Sequence, residues 1–228
     1  MELKNEINKL KRELNSKNEE MSNIKNELKQ LKDELLLLKK NKTEKTNDFS
    51  IFKDSIILKE EADKNNLFFW ISEKRKIKNI SLIYRGTRDG DNYKAFYDRC
   101  SNVGPTLSLI KTKNGKKFGG FSFREWTDKK GILRLDDKEA FLFSLDNKKK
   151  YKILKSNLAI CCYSDHSSFL TYGNNADSCG IYLNNLYLKA GGNENHHSRV
   201  YDVDSDFCFS GEKKFKVEDV EVFSVIFE

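Results

Sequence analysis

Apolar residues near the start of the chain recur at alternating spacings of three and four positions. From residue 3 to residue 38 they fill the a and d positions of a heptad repeat, and only Lys17, at a d position, breaks the pattern. A single amphipathic helix packed on its own domain usually has a wider apolar stripe. The pattern therefore predicts a coiled coil over residues 1–40, with the core positions Leu3, Ile7, Leu10, Leu14, Lys17, Met21, Ile24, Leu28, Leu31, Leu35 and Leu38.

Charged residues beside this seam favour one strand direction. Every g position is a glutamate, and every e position except Asn18 is a lysine. In a parallel assembly each g residue faces the following e residue of its partner, so glutamate meets lysine, whereas an antiparallel pair opposes like charges. The sequence therefore predicts parallel self-association. A homodimer is expected first, with a trimer as the alternative, because the a positions lack a run of Ile or Val.

Lys17 leaves two interpretations open. A polar residue in the seam can fix the register or the number of strands at some cost in stability. A long zipper can also tolerate a lysine whose ammonium group reaches solvent. The heptad pattern does not choose between them.

The periodicity stops after residue 40, and the polar run NKTEKTND predicts a solvated linker over residues 41–48. Apolar clusters resume in a predicted globular domain over residues 49–228. Its first part predicts a helix near residues 60–70 and a strand that ends at Tyr84. A second short helix, capped by Asp91 or Asn92, buries Tyr93, Phe96, Tyr97 and Cys100.

The rest of the domain is rich in strand-like segments. The stretches TLSLIKTK and KKFGGFSF flank Asn114-Gly115, which predicts a hairpin with a type I′ turn and positive φ at both central residues. Many short strands between Gly, Asn and Asp clusters are typical of an antiparallel β-sandwich. The further predicted strands are residues 140–145, 158–163, 180–188, 206–210 and 220–227.

Length and composition favour a cytoplasmic protein of one domain with an extension, and the nucleus is the alternative. The 228 residues include no apolar run near the about 18 residues of a membrane helix, so no membrane span is expected. The N-terminus is rich in Glu and Lys, unlike a signal peptide. Five cysteines, an odd number without a C-x-x-C pair, are as expected of reduced thiols.

The net charge of +7 raises the question of nucleic acid, because clustered basic residues neutralise phosphates. Residues 1–48 hold 12 Lys and Arg against 10 Asp and Glu, so the excess is spread thinly along the chain. A solvated basic surface is the first interpretation. The alternative is a nucleic-acid contact at the hairpin tip through Lys111, Lys113, Lys116 and Lys117.

Residues with catalytic or ligating chemistry form no recognised constellation. Cys162, Asp165 and His166 follow no nucleophile pattern. A redox role for Cys161-Cys162 needs an exposed thiol of low pKa, and their apolar neighbours predict burial. Adjacent strand residues point to opposite faces, which argues against a metal site. The residues with side chains that could ligate a metal ion are Cys161, Cys162, Cys179, His166, His196 and His197.

Two glycine-containing motifs have a structural interpretation. Arg88-Asp89-Gly90 could be an acid beside a cation, but a strand-to-helix turn accounts for it, with Gly in a strained conformation and Asp accepting backbone N–H bonds. Gly119-Gly120 lacks the spacing of a phosphate-binding loop. The pair predicts a close backbone approach or a bulge instead.

Several of these segments, taken together, resemble the TLDc domain family. They are YRGTRDG at residues 84–90, GPTLSLIKTKNGKKFGGF at 104–121 and DKEAFLFSL at 137–145, and the similarity extends over about residues 50–228. The run NENHHSRVYD departs from the family pattern. The matching positions are Tyr84, Arg88, Asp89, Gly90, Phe96, Gly104, Pro105, Thr106, Gly119, Gly120, Trp126, Phe141, Phe143 and Gly173.

This resemblance implies the fold class and the first functional hypothesis. The fold expected is an N-terminal α-helical parallel coiled coil followed by a β-rich α+β domain, an antiparallel two-sheet β-sandwich flanked by short helices. The family implies a role in oxidative-stress resistance and, in animal members, binding to the vacuolar proton pump (V-ATPase), and it brings no settled catalytic site. No cofactor or metal is expected. The alternatives are a nucleic-acid-binding stress regulator and a thiol-dependent peroxide-protective protein.

Overall fold

The computed structural model describes residues 2–44, 49–129, 131–163, 168–174, 178–184, 186–189, 193–194, 198–205 and 207–228. The chain divides into two compact units, Met1–Asn47 and Asp48–Glu228. The first contains one helix, α1 (Glu2–Glu44). Residues 41–44, which the sequence assigned to the linker, continue this helix because no Gly or Pro interrupts them. Residues 45–48 of the predicted linker lie outside the described part.

The apolar a and d side chains of α1 are exposed along the helix. Their exposed fractions range from 46% at Ile7 to 74% at Leu3. Lys17 is also exposed, and the side chains of Leu35 and Leu38 lie outside the described part of the chain. At about 1.5 Å per residue the helix is about 65 Å long. The other exposed core positions are Leu10, Leu14, Met21, Ile24, Leu28 and Leu31.

The second unit contains two antiparallel sheets, each with six described strands. Its helices are α2 (Glu61–Ile71), α3 (Gly86–Asp89) and α4 (Tyr93–Cys100), with 3-10 turns at Phe49–Phe52 and Ser156–Leu158. The strands are β1 (Ile77–Arg85), β2 (Thr106–Thr112), β3 (Lys117–Ser122), β4 (Ile132–Leu135), β5 (Phe141–Ser144), β6 (Lys149–Lys152), β7 (Ile160–Tyr163), β8 (Ser168–Asn174), β9 (Ser178–Asn184), β10 (Asn193–Glu194), β11 (Lys214–Phe215) and β12 (Val217–Phe227).

The first sheet has the order β1-β12-β2-β3-β5-β6, and its interior strands, such as β2 and β12, are largely buried on both faces. One face packs against the second sheet, of order β11-β10-β9-β8-β7-β4, in a core that includes Phe118 and Tyr172. The other face lies under α2 and the 3-10 turn before it, with Leu67 and Phe143 in a second core. The predicted two-sheet β-sandwich flanked by short helices is therefore confirmed.

Local sequence signals located most helix ends correctly. The α2 and β1 segments lie where the sequence placed them, and Asn92 caps α4 by accepting a hydrogen bond from the Ala95 amide at 2.9 Å. The strand predicted over residues 206–210 is wrong, because residues 207–210 form a turn. Phe209 is buried in the core from that turn and packs on Phe118 with ring centroids 5.6 Å apart, whereas Phe207 is partly exposed.

The hairpin between β2 and β3 is present, but its turn is not type I′. Gly115 has a positive φ, of 87°, but Asn114 does not, and a type I′ turn requires a positive φ at both residues. The Gly115 amide donates to the Thr112 carbonyl at 2.9 Å, and the Thr112 amide donates to the Lys116 carbonyl at 2.9 Å. This pattern is typical of a three-residue loop in which a turn is followed by a glycine bulge.

Candidate functional site

The motif at residues 84–90 spans the end of β1 and all of α3, and lies against the neighbouring strand β12. Arg85 Nε donates to Glu221 Oε1 at 2.9 Å, and Glu221 is fully buried. The same carboxylate accepts the Ile56 amide at 2.8 Å and the Ser55 hydroxyl. Arg85 also donates to the Asp54 carbonyl. One buried carboxylate thus ties β1, β12 and the segment before α2 together.

Short contacts at the start of α3 explain the first glycine of this motif, Gly86. A Cβ at Gly86 would lie 1.6 Å from the Tyr187 hydroxyl, so no larger residue fits. That hydroxyl is 3.0 Å from the Tyr84 hydroxyl, which donates to the Gly90 carbonyl at 2.7 Å. Burial raises the pKa of both phenols. They therefore stay neutral and act as hydrogen-bonding groups inside the core.

Thr87 connects α3 to β12. Its amide and hydroxyl donate to the two carboxylate oxygens of Asp219, at 3.1 and 2.5 Å. Asp219 is buried. A buried carboxylate is tolerated when its oxygens are hydrogen-bonded in this way.

Asp89 is a structural acid and is held ionised by its neighbours. Burial opposes ionisation, but hydrogen bonds from Arg88 and from the Arg85 amide outweigh it and lower the pKa of Asp89. Arg88 binds the carboxylate through Nε at 2.9 Å and Nη2 at 2.7 Å, and Arg99 approaches to 3.1 Å. Gly90 follows with a φ of 108°. The geometry supports the strand-to-helix turn. Both carboxylate oxygens of Asp89 are already bonded to arginine side chains.

The Gly119-Gly120 pair allows close packing on both faces of β3. A Cβ at Gly119 would lie 1.9 Å from the Ser108 carbonyl oxygen, and one at Gly120 would lie 2.6 Å from the Tyr172 ring. The pairing of β2 with β3 is regular through both positions, so there is no bulge at them.

The remaining family positions belong to packing or to turns. Trp126 is buried, donates from Nε1 to the Thr106 hydroxyl at 3.0 Å and packs its ring on Phe96. Phe141 and Phe143 lie in the core under α2. The remaining positions are the cis peptide Gly104-Pro105 and Gly173, which has a φ of 96°.

The thiols that the redox hypothesis requires are protected. Cys161 and Cys162 are buried on β7, and burial raises the pKa of Cys162 to about 11 and that of Cys161 above its ordinary value. Thiolates are the reactive form, so these positions lack the activation that a redox site needs. In the described part of the chain no group of three His, Cys, Asp or Glu could hold a metal ion. Outside that part lie residues 165, 166, 196 and 197 and the side chain of Cys179.

Most of the lysines at the hairpin tip are paired with carboxylates. Lys111 contacts Glu218 at 2.8 Å, Lys116 contacts Asp146 at 3.3 Å, and Lys117 pairs with Asp63. Only Lys113 of the four has no carboxylate partner in the described part of the chain. The carboxylates offset the positive charge of the paired lysines and weaken their attraction to phosphates. The structure therefore gives the nucleic-acid hypothesis no support at this site.

Sequence inspection missed the carboxylates that organise the motif. Asp219 and Glu221 lie more than 130 residues after their partners Thr87 and Arg85, and no local pattern connects them. Three acids in the mostly apolar stretch VEDVEVFSVIF, of which Asp219 and Glu221 are the buried ones, were the available signal. A carboxylate at a buried strand position requires a cationic or hydrogen-bonding partner, and β1 supplies it.

Two packed antiparallel sheets, flanking short helices and a buried ionic motif at the end of the first strand define a β-sandwich domain. Residues 51–226 match the family model of the TLDc domain, and the chain belongs to this family. The resemblance seen in the sequence is therefore confirmed. Membership in this family suggests a protein-interaction module. No helix in the described ranges is long and apolar enough to cross a membrane.

Curated relatives share part of this chain. TBC1 domain family member 24 of Xenopus tropicalis is 30% identical over 79 residues, which are 35% of this chain and 14% of that protein. The protein of the same name from Xenopus laevis is 29% identical over 68 residues, 30% of this chain and 12% of that protein. The matched segment thus spans a small part of these longer proteins.

Proposed function

We propose that this chain is a non-enzymatic interaction module in which a parallel coiled coil joins TLDc domains, so that two domains dock together on a protein partner during oxidative stress. The observation that carries the proposal is the exposed apolar stripe of α1, where eight described side chains are at least 46% exposed. Linked domains bind a partner more tightly than single ones without any new contact.

The stripe supports self-association because exposed apolar side chains at heptad spacing gain free energy on burial. Fully burying one Leu or Ile side chain is worth about 1.5–3 kcal/mol. Leu28 is 52% exposed and Leu31 is 63% exposed in the single chain, so both have surface to bury against a second copy. The glutamate and lysine rows beside the stripe favour a parallel arrangement.

The raised pKa values of the buried thiols support a role without catalysis. Desolvation keeps Cys162 protonated near neutral pH, and Asp89 is committed to its arginines. We propose a subunit of the vacuolar proton pump as the partner, by extension from animal members of the family, and a cytoplasmic site of action.

Replacing Leu28 and Leu31 by Asp tests the self-association. Charged residues at the centre of the seam oppose burial, so sedimentation equilibrium of the full chain should change from a dimer or trimer mass to a monomer mass. The matched control is Asn26→Asp with Gln30→Asp, which adds two Asp residues at outer heptad positions and should leave the mass unchanged. A wild-type chain that sediments as a monomer would refute the coiled coil.

Partner identity needs a separate experiment. The full chain, used as bait in lysate from peroxide-stressed cells of its own source, should recover vacuolar proton-pump subunits. The Leu28→Asp/Leu31→Asp chain should recover less of the same subunits, because it presents one domain at a time. A bait that contains the coiled coil alone is the control. If it recovers the pump subunits as well as the full chain does, the TLDc domain is not what binds them, and the proposed docking is wrong.

A further inference from the structure

A groove beside the C-terminal end of α2 has a chemistry that the TLDc motif does not explain. We call it the basic groove. It is lined by residues 70–75 at the end of α2 and by side chains of β3, β5 and β6 with the segments next to them. Its volume is about 310 Å³, at the lower end of the about 300–1,000 Å³ of ligand pockets.

Positive charge exceeds negative charge in the basic groove. Two carboxylates, Glu73 and Glu139, face five cations. A hydrogen bond and the charge of Lys150, followed by the charges of Lys74 and Lys152, lower the pKa of Glu73 despite desolvation. The field inside the groove therefore favours anions. The five cations are Lys74, Arg75, Lys138, Lys150 and Lys152.

Some of these cations are fixed, and others are available to a ligand. Arg75 Nη2 binds Glu139 at 2.6 Å, and Lys150 pairs with Glu73. Lys138 and Lys152 are exposed, and neither forms an ion pair with any residue that the structure describes. Two ammonium groups without carboxylate partners therefore lie at the rim of the groove.

Aromatic side chains form the apolar part of the groove, and their rings are already in contact with cations or other rings. The Arg75 guanidinium lies 4.2 Å from the centroid of the Phe123 ring, and the Lys150 ammonium lies 5.2 Å from that of Phe141. Phe121 stacks on Phe141 at 5.3 Å. A nucleic-acid base would have to displace these cations to stack, so an anionic peptide fits this arrangement better.

We propose that the basic groove docks an acidic segment of a protein partner. Carboxylates of the segment pair with Lys138 and Lys152, and its apolar side chains cover the apolar surface of Trp70, a ring of the groove that no cation contacts among the described residues. The choice of occupant follows from charge complementarity between the groove and the segment. This inference rests on the proposed function as an interaction module and assigns the partner chemistry of one face of the TLDc domain.

Fluorescence anisotropy with a labelled, short Glu-rich peptide that carries a Leu-Phe pair tests the groove on the full chain. Lys138→Glu with Lys152→Glu should weaken binding by about tenfold, because two attractive pairs become repulsive. The matched control is Lys113→Glu with Lys213→Glu, which makes the same charge change at exposed positions outside the groove. It should change the affinity by less than about twofold.

A charge-swapped probe completes the test. The peptide with Lys in place of every Glu should bind the Lys138→Glu/Lys152→Glu chain better than the wild-type chain. Equal weakening by both variant pairs, or equal binding of a Gln analogue of the peptide, would overturn the inference. Tighter binding of a single-stranded oligonucleotide of the same charge, lost on groove substitution, would overturn it in favour of nucleic acid.

The two proposals fail in different ways. If wild-type and groove-substituted chains recover the same partner while the Glu-rich peptide does not bind, the groove assignment is wrong and the interaction module stands. If the peptide binds at the groove but the full chain recovers no specific partner, the groove stands as an acidic-peptide site and the proposed module function is wrong.

Discussion

Glu221 has no exposed surface, although it is ionisable and lies in the middle of the long central strand. Its carboxylate is tolerated because Arg85, the Ser55 hydroxyl and the Ile56 amide donate to it. A buried charge that keeps all its partners costs little net free energy. Removing one member of the pair leaves the other charge buried without compensation, which is strongly destabilising. The motif at residues 84–90 is thus a means of holding the sandwich together.

Replacing Glu221 by Gln should therefore destabilise the domain. The change leaves the Arg85 guanidinium mostly buried without its counter-charge, and the free energy of unfolding should fall by about 3–5 kcal/mol. Urea unfolding followed by tryptophan fluorescence measures it, since both tryptophans, Trp70 and Trp126, lie in the domain. Glu218→Gln on the same strand is the control; its exposed pair with Lys111 should cost about 1 kcal/mol or less. Equal losses for the two variants would contradict the buried network.

Thiol reactivity gives a second prediction. Because burial raises the pKa of Cys162 to about 11, about one thiol in a thousand is ionised at pH 8. Iodoacetamide labelling with peptide mapping should modify the half-buried Cys208 before Cys161 or Cys162 in the folded protein. Rapid labelling of Cys162 near neutral pH would contradict the protected site.

The same raised pKa has a consequence for stability. The unfolded chain loses the proton near the ordinary thiol pKa of 9.0, below the folded value of about 11. Between these values the folded state binds more protons, so the contribution of Cys162 to stability is complete below pH 9 and is lost as pH rises toward 11. The free energy of unfolding should fall over this range, and less steeply in Cys162→Ala.

At the scale of elements, the coiled coil that we propose for α1 separates affinity from orientation. Its a and d residues supply the apolar surface, and each exposed g–e ion pair would add only about 0.2–1 kcal/mol. In that assembly the charges decide strand direction, while the seam provides most of the binding free energy. This division of roles can be tested without altering the seam.

Reversing the five g glutamates to lysine opposes lysine to lysine in the parallel register and should weaken self-association. High salt should restore it in part, since screening reduces repulsion between exposed charges. Reversing the e lysines to glutamate as well is the matched control, and it should return the association to near the wild-type strength at low salt. Sedimentation at several salt concentrations measures both effects. No response to salt would mean that the charge rows do not set the pairing. The g positions are Glu6, Glu13, Glu20, Glu27 and Glu34.

At the scale of the whole molecule, the proposed function depends on the number of domains that are presented together. The Leu28→Asp/Leu31→Asp chain should keep the wild-type affinity for the Glu-rich peptide in solution. On a surface densely coated with that peptide its retention should fall, by about 100-fold if two linked domains act together. The Asn26→Asp/Gln30→Asp chain should behave as wild type. Equal loss of solution affinity would mean that the substitutions damage the domain.

Periodic and local signals were enough to predict the heptad helix, the Asn92 cap and the β-sandwich. They failed where the chemistry depends on distant partners. Asn114-Gly115 has the composition of a type I′ turn, but only Gly115 takes a positive φ. The stretch at 206–210 has the composition of a strand, yet its described residues form a turn and Phe209 packs in the core.

The sequence by itself determined the long heptad helix, the Asn92 cap and the β-rich character of the domain, because heptads, caps and apolar runs act between residues close in the chain. Only the tertiary structure decided which charges are partnered. Glu221 meets Arg85 from a strand 136 residues away, and Lys152 of β6 joins Lys138 at the rim of the basic groove. The first arises from the antiparallel pairing of β1 with β12, far apart in sequence, and the second from the pairing of β5 with β6. Such contacts between strands leave no periodic trace in the chain.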